Sequence, residues 1–205
     1  MKNIPVLVLA AGKSSRMQTP KQLLKIGKQS LLEIVLEKAL AISSSPIYCV
    51  LGANAATIQQ EITTKNVVYI FNENYHEGLS TSIVSGINYL EKNHPNLEGV
   101  FILLADQPAI EINYLENLIQ LFNQKNSKII ASKYPKNIGV PAIFPKMFFS
   151  ELKTLKGDFG AKEFLKNNKK ACILSNFNAI LIDLDTKSDY ENYKKSLEKS
   201  QNNRN

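Results

Sequence analysis

Four short apolar runs, "IPVLVLA" (residues 4–10), "IYCVLG" (47–52), "VVYIF" (67–71) and "VFILLA" (100–105), alternate with stretches whose apolar residues recur at helical spacing. This alternation constrains the fold more than any other feature. A run too short for a helix and apolar at successive positions is a strand buried on both faces. Strands joined through helices pair in parallel, with the helices packed on either side. In "SLLEIVLEKALAI", Ser30 and Glu33 form a capping-box pattern, and Leu32, Val35, Leu36 and Ala39 fall on one helical face. A short helix capped by Asn54 is expected through Ile62, "STSIVSGINYLEK" turns helical after cap-type residues, and another helix spans about Glu111 to Gln124. Beyond it the pattern predicts strands "KIIAS" and "VPAIF", a helix from Pro145, a loop "LKGDFGAKEFL", a strand "NAILIDLD" and an exposed helix "KSDYENYKKSLEK". No repeat, linker or boundary divides the chain, so residues 1–198 read as one α/β domain and 199–205 as a frayed tail.

Composition excludes several classes of protein. The 205 residues, 44% of them apolar, suffice for one sizeable core, and the longest apolar runs are far too short to cross a bilayer. The N-terminal apolar run leads into a basic loop rather than a signal-peptide cleavage site, so a cytoplasmic protein is expected. Cys49 and Cys172, in strand-like contexts, read as buried thiols rather than a disulfide or metal site. The net charge is +7, part of it from Lys187, Lys194, Lys195, Lys199 and Arg204 near the C-terminus. No basic stripe is interleaved with aromatics, so a small polyanionic substrate explains the charge better than nucleic acid.

In open α/β sheets, ligands sit beyond the carboxyl ends of the strands where the strand order reverses. The loop after the first run is "AAGKSSRMQTPKQLLK", with Lys13, Arg16, Lys21 and Lys25 and no acid. Ala10, Ala11 and Gly12 leave room for a ligand to approach the backbone, Arg16 can fork onto phosphate oxygens, and Lys21 can act as a point charge. Neither GxxxxGK[ST] nor GxGxxG is present. Asp106 in "LLADQP" follows a buried strand and suits a hydrated Mg2+. Asp183 and Asp185 in "IDLD" alternate about Leu184, so both face one side, where one completes the metal site or either caps the C-terminal helix. Gly78 and the Ser80–Ser82 stretch open a helix near the same rim, and Gly157, Asp158, Gly160 and Lys162 form a turn at a helix start. His76 and His94 read as surface residues.

Taken together, "VLAAGKSSRMQTPKQLL", "EGLSTSIVSGI", "LLADQP", "GVPAIFP", "KGDFGAKEFL" and "IDLDT" resemble the MobA-like nucleotidyltransferases, most nearly the molybdenum cofactor cytidylyltransferases. The resemblance implies a Rossmann-like three-layer α/β/α fold with a mainly parallel mixed sheet. It implies transfer of CMP from CTP to the phosphate of a molybdopterin-type cofactor, release of pyrophosphate, dependence on Mg2+, and a molybdenum hydroxylase as client. Leu9, Ala10, Ala11, Gly12, Arg16 and Lys21 would hold the nucleotide, with Gly78 and Ser82 near its base. Arg16, Lys21 and Asp106 would be catalytic, Asp106 and Asp183 would hold the metal, and Gly157, Asp158, Gly160 and Lys162 would hold the acceptor. Ala11, where guanylyl-transferring relatives carry a second glycine, suggests cytosine. Gln18 and Lys162 depart from the family pattern, which usually has Gly and Arg there. Other members of the superfamily serve phosphorylated sugars or alcohols, and a non-catalytic chaperone for the cofactor is the reading from another class.

Overall fold

The computed structural model describes residues 3–14, 17 and 19–202. Strand β1 (Val6–Leu9) leads through a long loop and a small hairpin, β2 (Lys25–Ile26) and β3 (Gln29–Ser30), into helix α1 (Leu31–Ala41). The alternating half continues with β4 (Ile47–Leu51), α2 (Ala55–Glu61), β5 (Val67–Phe71), α3 (Leu79–Asn93), β6 (Gly99–Leu104) and α4 (Ile112–Gln124). The remainder holds β7 (Ile129–Lys133), β8 (Ile138–Pro145), α5 (Phe149–Leu152), α6 (Ala161–Asn167), β9 (Cys172–Leu174) and α7 (Lys187–Asn202). Seven strands form one sheet in the order β5-β4-β1-β6-β8-β7-β9. β1 runs parallel to both β4 and β6, β8 is antiparallel to β6 and β7, and β9 is parallel to β7.

Both faces of the sheet are covered. Leu7 and Leu9 pack with Ile83, Ile87 and Leu90 of α3 and Phe164 of α6, while Val6 and Val8 pack with Leu32 and Leu36 of α1 and Leu118 of α4. Successive side chains of a strand point to opposite faces, so an unbroken apolar run is what a three-layer α/β/α core demands of β1. The expected fold is therefore the observed one. The chain steps outward from β1 to β4 and β5, then returns to place β6 on the other side of β1. The order reverses there, and the loops after β1 and β6 open on the same crevice.

The capping box forms as expected: the Ser30 side chain accepts from the Glu33 amide while Glu33 accepts from the Ser30 backbone N–H. Glu33 also accepts from the backbone and hydroxyl of Thr63, tying α1 to the end of α2. Three local expectations are corrected. Asn54 precedes α2 but sits in the left-handed region, at φ 58°, with no side-chain cap bond. Residues 178–185 form no strand, because Cys172–Leu174 takes the edge position beside β7. They run irregularly past the loop after β6, where the Leu184 N–H donates to the Asp106 carbonyl. Helix α7 continues to Asn202, past residue 198 where a frayed tail was expected. Among the described residues, no helix is long and apolar enough to cross a membrane, and Cys49 and Cys172 are free thiols.

Candidate active site

The loop after β1 is folded back on itself by its own polar side chains. Gln22, 2% exposed, donates from Nε2 to the carbonyls of Ala10 and Gly12 at 2.7 and 3.0 Å. Ser14, with φ +54°, accepts at Oγ from the Lys21 N–H at 2.9 Å. The Ala10 N–H is taken by the Val50 carbonyl, so this residue offers no amide to a ligand. A Cβ at Gly12 would meet no atom within 4 Å, which leaves the open approach expected there. Arg16 lies outside the described residues.

The same folding sends the Lys21 side chain across the crevice. Its Nζ donates to Asp106 Oδ2 at 2.5 Å and to Asp185 Oδ1 at 2.9 Å. Burial alone would lower the Lys21 pKa, but the two carboxylates together outweigh it and raise it, so the ammonium is held charged. Asp106 lies just beyond β6, and its second oxygen, Oδ1, is buried with no partner. An orphaned carboxylate oxygen is costly unless something binds it.

Asp183 faces the same crevice. Its Oδ1 accepts from Gln107 Nε2 at 2.6 Å, and that amide also donates to the Tyr134 hydroxyl at 2.7 Å. Tyr134 in turn donates to the Val140 carbonyl. Burial pushes the Tyr134 pKa up, with the Asp183 charge adding to it, so the phenol stays neutral and can donate. Burial also raises Asp183. The Gln107 hydrogen bond opposes that shift, and the Asp106 and Asp185 charges add to it. Neither Asp183 nor Asp185 caps the last helix: Thr186 and Asp189 form that cap reciprocally, leaving both carboxylates to the crevice. Lys38 of α1 donates to the Pro108 carbonyl at 2.6 Å and steadies the loop that carries Asp106 and Gln107.

These residues fit a hard divalent cation. The donors are carboxylate oxygens, one of them without a partner. Among the described residues no three acidic, His or Cys side chains are grouped as a closed cage. Mg2+ does not need one, since it binds through one or two carboxylates plus substrate phosphates.

A pocket of about 320 Å3 opens between the ends of β1 and β6, the start of β8 and α6. Leu9, Leu104, Gln107, Tyr134, Lys162 and Asp183 are among its lining residues. The turn that precedes α6 is docked on the start of α3. The Gly157 carbonyl accepts from the Ser80 N–H at 3.1 Å and from its hydroxyl at 2.7 Å. Gly78 has φ +114°, and a Cβ there would stand 2.2 Å from the Gly157 carbonyl carbon. The close approach that Gly78 permits is thus that of the protein's own turn. Ser82 is buried and accepts from the Asn72 amide, so its hydroxyl ties α3 to the end of β5 rather than lining the pocket. Asp158 is exposed on the turn, and Gly160 packs against Leu79.

Of the residues expected at the site, Leu9, Lys21, Asp106, Lys162 and Asp183 therefore converge on the rim of the sheet. Gln22, Gln107 and Tyr134 were missed. Gln107 directly follows Asp106 in the sequence, the one available signal, whereas nothing in "SKYPKN" marks Tyr134.

A family model, the MobA-like NTP transferase domain, matches residues 6–172. The purine catabolism protein PucB of Bacillus subtilis (strain 168) is 26% identical over 203 residues, covering 92% of this chain and 95% of PucB. The bifunctional protein GlmU of Gloeothece citriformis is 27% identical over 146 residues, and the match spans 69% of this chain but about a third of GlmU, 32%. Among solved structures, Rv0371c of Mycobacterium tuberculosis H37Rv superposes with a TM-score of 0.81 at 25% identity, covering 95% of this chain and 99% of that one.

Proposed function

The chain belongs to the MobA-like NTP transferase family, and we propose that within it the protein is a cytidylyltransferase, moving CMP from CTP to the phosphate of a molybdopterin-type cofactor with release of pyrophosphate. The observation that carries this reading is the Lys21 ammonium, delivered by the loop after the central strand and bonded to Asp106 beyond the neighbouring one. Charges of both signs meet there at the point where the strand order reverses, as a triphosphate and its counter-ion require. The client in this reading is a molybdenum hydroxylase.

The reaction needs positioning and charge neutralisation rather than a covalent intermediate. The acceptor phosphate attacks the α-phosphorus in line and pyrophosphate leaves. Its oxygens are already largely ionised near neutral pH, so no general base is required and no histidine need take part. Lys21, held protonated, neutralises triphosphate charge as it passes from its carboxylates to the substrate, and Arg16 assists from the same loop. Asp106, with Asp183 or Asp185, would hold Mg2+, which when bound polarises the phosphoryl group and neutralises charge on the leaving pyrophosphate. Gln107 and Tyr134 keep Asp183 aimed at the crevice. Gly157, Asp158, Gly160 and Lys162 position the acceptor, and Ala11, standing where a second glycine would otherwise be, favours the smaller pyrimidine.

The test is kcat/KM for CTP, GTP and ATP with one acceptor. A preference for CTP of at least about tenfold is expected, because a site that pairs one base edge leaves polar groups unpaired with another. Equal values, or a preference for GTP, refute the assignment to cytosine.

A further inference from the structure

Beside the pocket, and sharing Tyr134, Asn137, Ile138 and Lys162 with it, lies a wider groove of about 550 Å3. Five lysines line it: Lys133 and Lys136 from the end of β7 and the turn after it, Lys162 and Lys166 from α6, and Lys169 from the turn before β9. Among the described residues Glu163 is the one acid in the lining, and it meets Lys166 only at 3.8 Å. Among the described residues no other lysine of the groove forms an ion pair. The basic composition of the chain does not explain this concentration. A groove of similar size on the other side of the docked turn, about 570 Å3, is balanced, with Glu73 and Glu77 against Lys153 and Lys156. Three separate segments would have to crowd like charges into one concavity for no return, whereas a concave wall of one sign concentrates anions.

The geometry points to a second anion subsite: the acceptor carries, besides the phosphate that receives the nucleotide, another anionic group at its far end, and the lysine groove holds it. This rests on the nucleotidyl-transfer reading for the reacting end of the acceptor. It adds that the substrate class is two-ended and anionic, which a simple phosphorylated alcohol is not.

The test uses probes with one and two anionic ends, fructose 6-phosphate and fructose 1,6-bisphosphate. Each is titrated calorimetrically into the full chain loaded with Mg2+ and a non-hydrolysable CTP analogue, and again without the analogue. The bisphosphate is expected to bind at least tenfold more tightly than the monophosphate. In Lys136→Glu/Lys166→Glu/Lys169→Glu, whose changes are all on exposed side chains, that advantage should fall to threefold or less while analogue affinity stays within threefold. Circular dichroism and Tm verify that the variant folds. Equal binding of the two probes, no binding of either, or an advantage that persists in the variant overturns the subsite. Capture of a deca-glutamate peptide by the groove with no preference for the bisphosphate also overturns it, in favour of an acidic protein segment. Failure of the analogue to bind refutes the nucleotide reading instead, and the titrations without it still decide the groove.

Discussion

Lys21→Met removes the cation that bridges Asp106 and Asp185 and keeps the length of the side chain. Breaking a buried pair by deleting one partner costs about 3–5 kcal/mol, because a charge is left without compensation. Lys21 and Asp106 are 16% and 15% exposed, whereas Asp185 is 43% exposed. The Asp185 contact is therefore screened and adds well under about 1 kcal/mol. The loss should come almost wholly from Asp106 and, with relaxation into an open crevice, amount to about 2–3 kcal/mol. For a chain of this size that lowers Tm by roughly 4–12 °C. Adding Asp106→Asn removes the stranded charge, so the double variant should recover about half of the loss or more, a coupling only neighbours in contact show. Mg2+ should also raise the Tm of Lys21→Met more than that of the wild type, since it binds folded carboxylates from which the ammonium has gone. The pKa of Lys21 is raised in the folded state. Its contribution is thus fully present below the unfolded value, about pH 10.4, and fades only as pH rises through the folded one. The wild type and variant should converge only in strong alkali. Thermal unfolding of the two single variants, the double variant and the wild type, without and with Mg2+ and from neutral to alkaline pH, measures all of this. A Lys21→Met protein as stable as wild type, with the same response to Mg2+, refutes the reasoning.

Asp183→Asn should stabilise the metal-free protein slightly near neutral pH while lowering turnover. The Asp183 pKa is raised, so its ionised form opposes folding, an effect absent at low pH and growing as pH rises through the folded value. Thermal unfolding across acid to neutral pH should show this slope in the wild type and not in the variant. Gly78→Ala should destabilise the start of α3 and release the turn at Gly157, because the new Cβ would stand 2.2 Å from that backbone; limited proteolysis between residues 153 and 162 should be faster than in wild type, and equal rates count against the docking. Lys162→Ala and Asp158→Ala should raise KM for the acceptor or lower kcat, with CTP affinity within about threefold, under ~1 kcal/mol. Calorimetric titration of CTP–Mg2+ is the control, and collapse of CTP binding would move the turn to the nucleotide half of the site.

The sheet was legible because its strands are buried on both faces, so apolar continuity carries the signal. Val67–Phe71 matches its run of residues without shift, and Ser30 with Glu33 marks the start of α1. The misreadings share a cause. "NAILIDLD" alternates like a strand, but Ile180 is 61% exposed and the segment runs past the loop after β6 instead of along a sheet edge. What holds the segment is polar: Asp183 on Gln107, Asp185 on Lys21 and the Leu184 amide on Asp106. These partners lie 76, 164 and 78 residues away in the chain, beyond the reach of any local pattern. The same holds for Tyr134, whose role depends on where β8 turns back. Asp183 and Asp185 nevertheless face one side as expected, because alternation about a buried Leu184 survives without a ladder.

The most direct measurement of the central claim is pyrophosphate release by the wild type and by Asp106→Ala, with CTP and Mg2+, in the presence of molybdenum cofactor or of a sugar phosphate. Release is expected from the wild type with CTP and the cofactor. A folded Asp106→Ala protein should give at least about 10²-fold less, the scale of losing a charge-stabilising group. Release that depends on the sugar phosphate instead would contradict the acceptor, and near-wild-type release from Asp106→Ala would contradict the site itself.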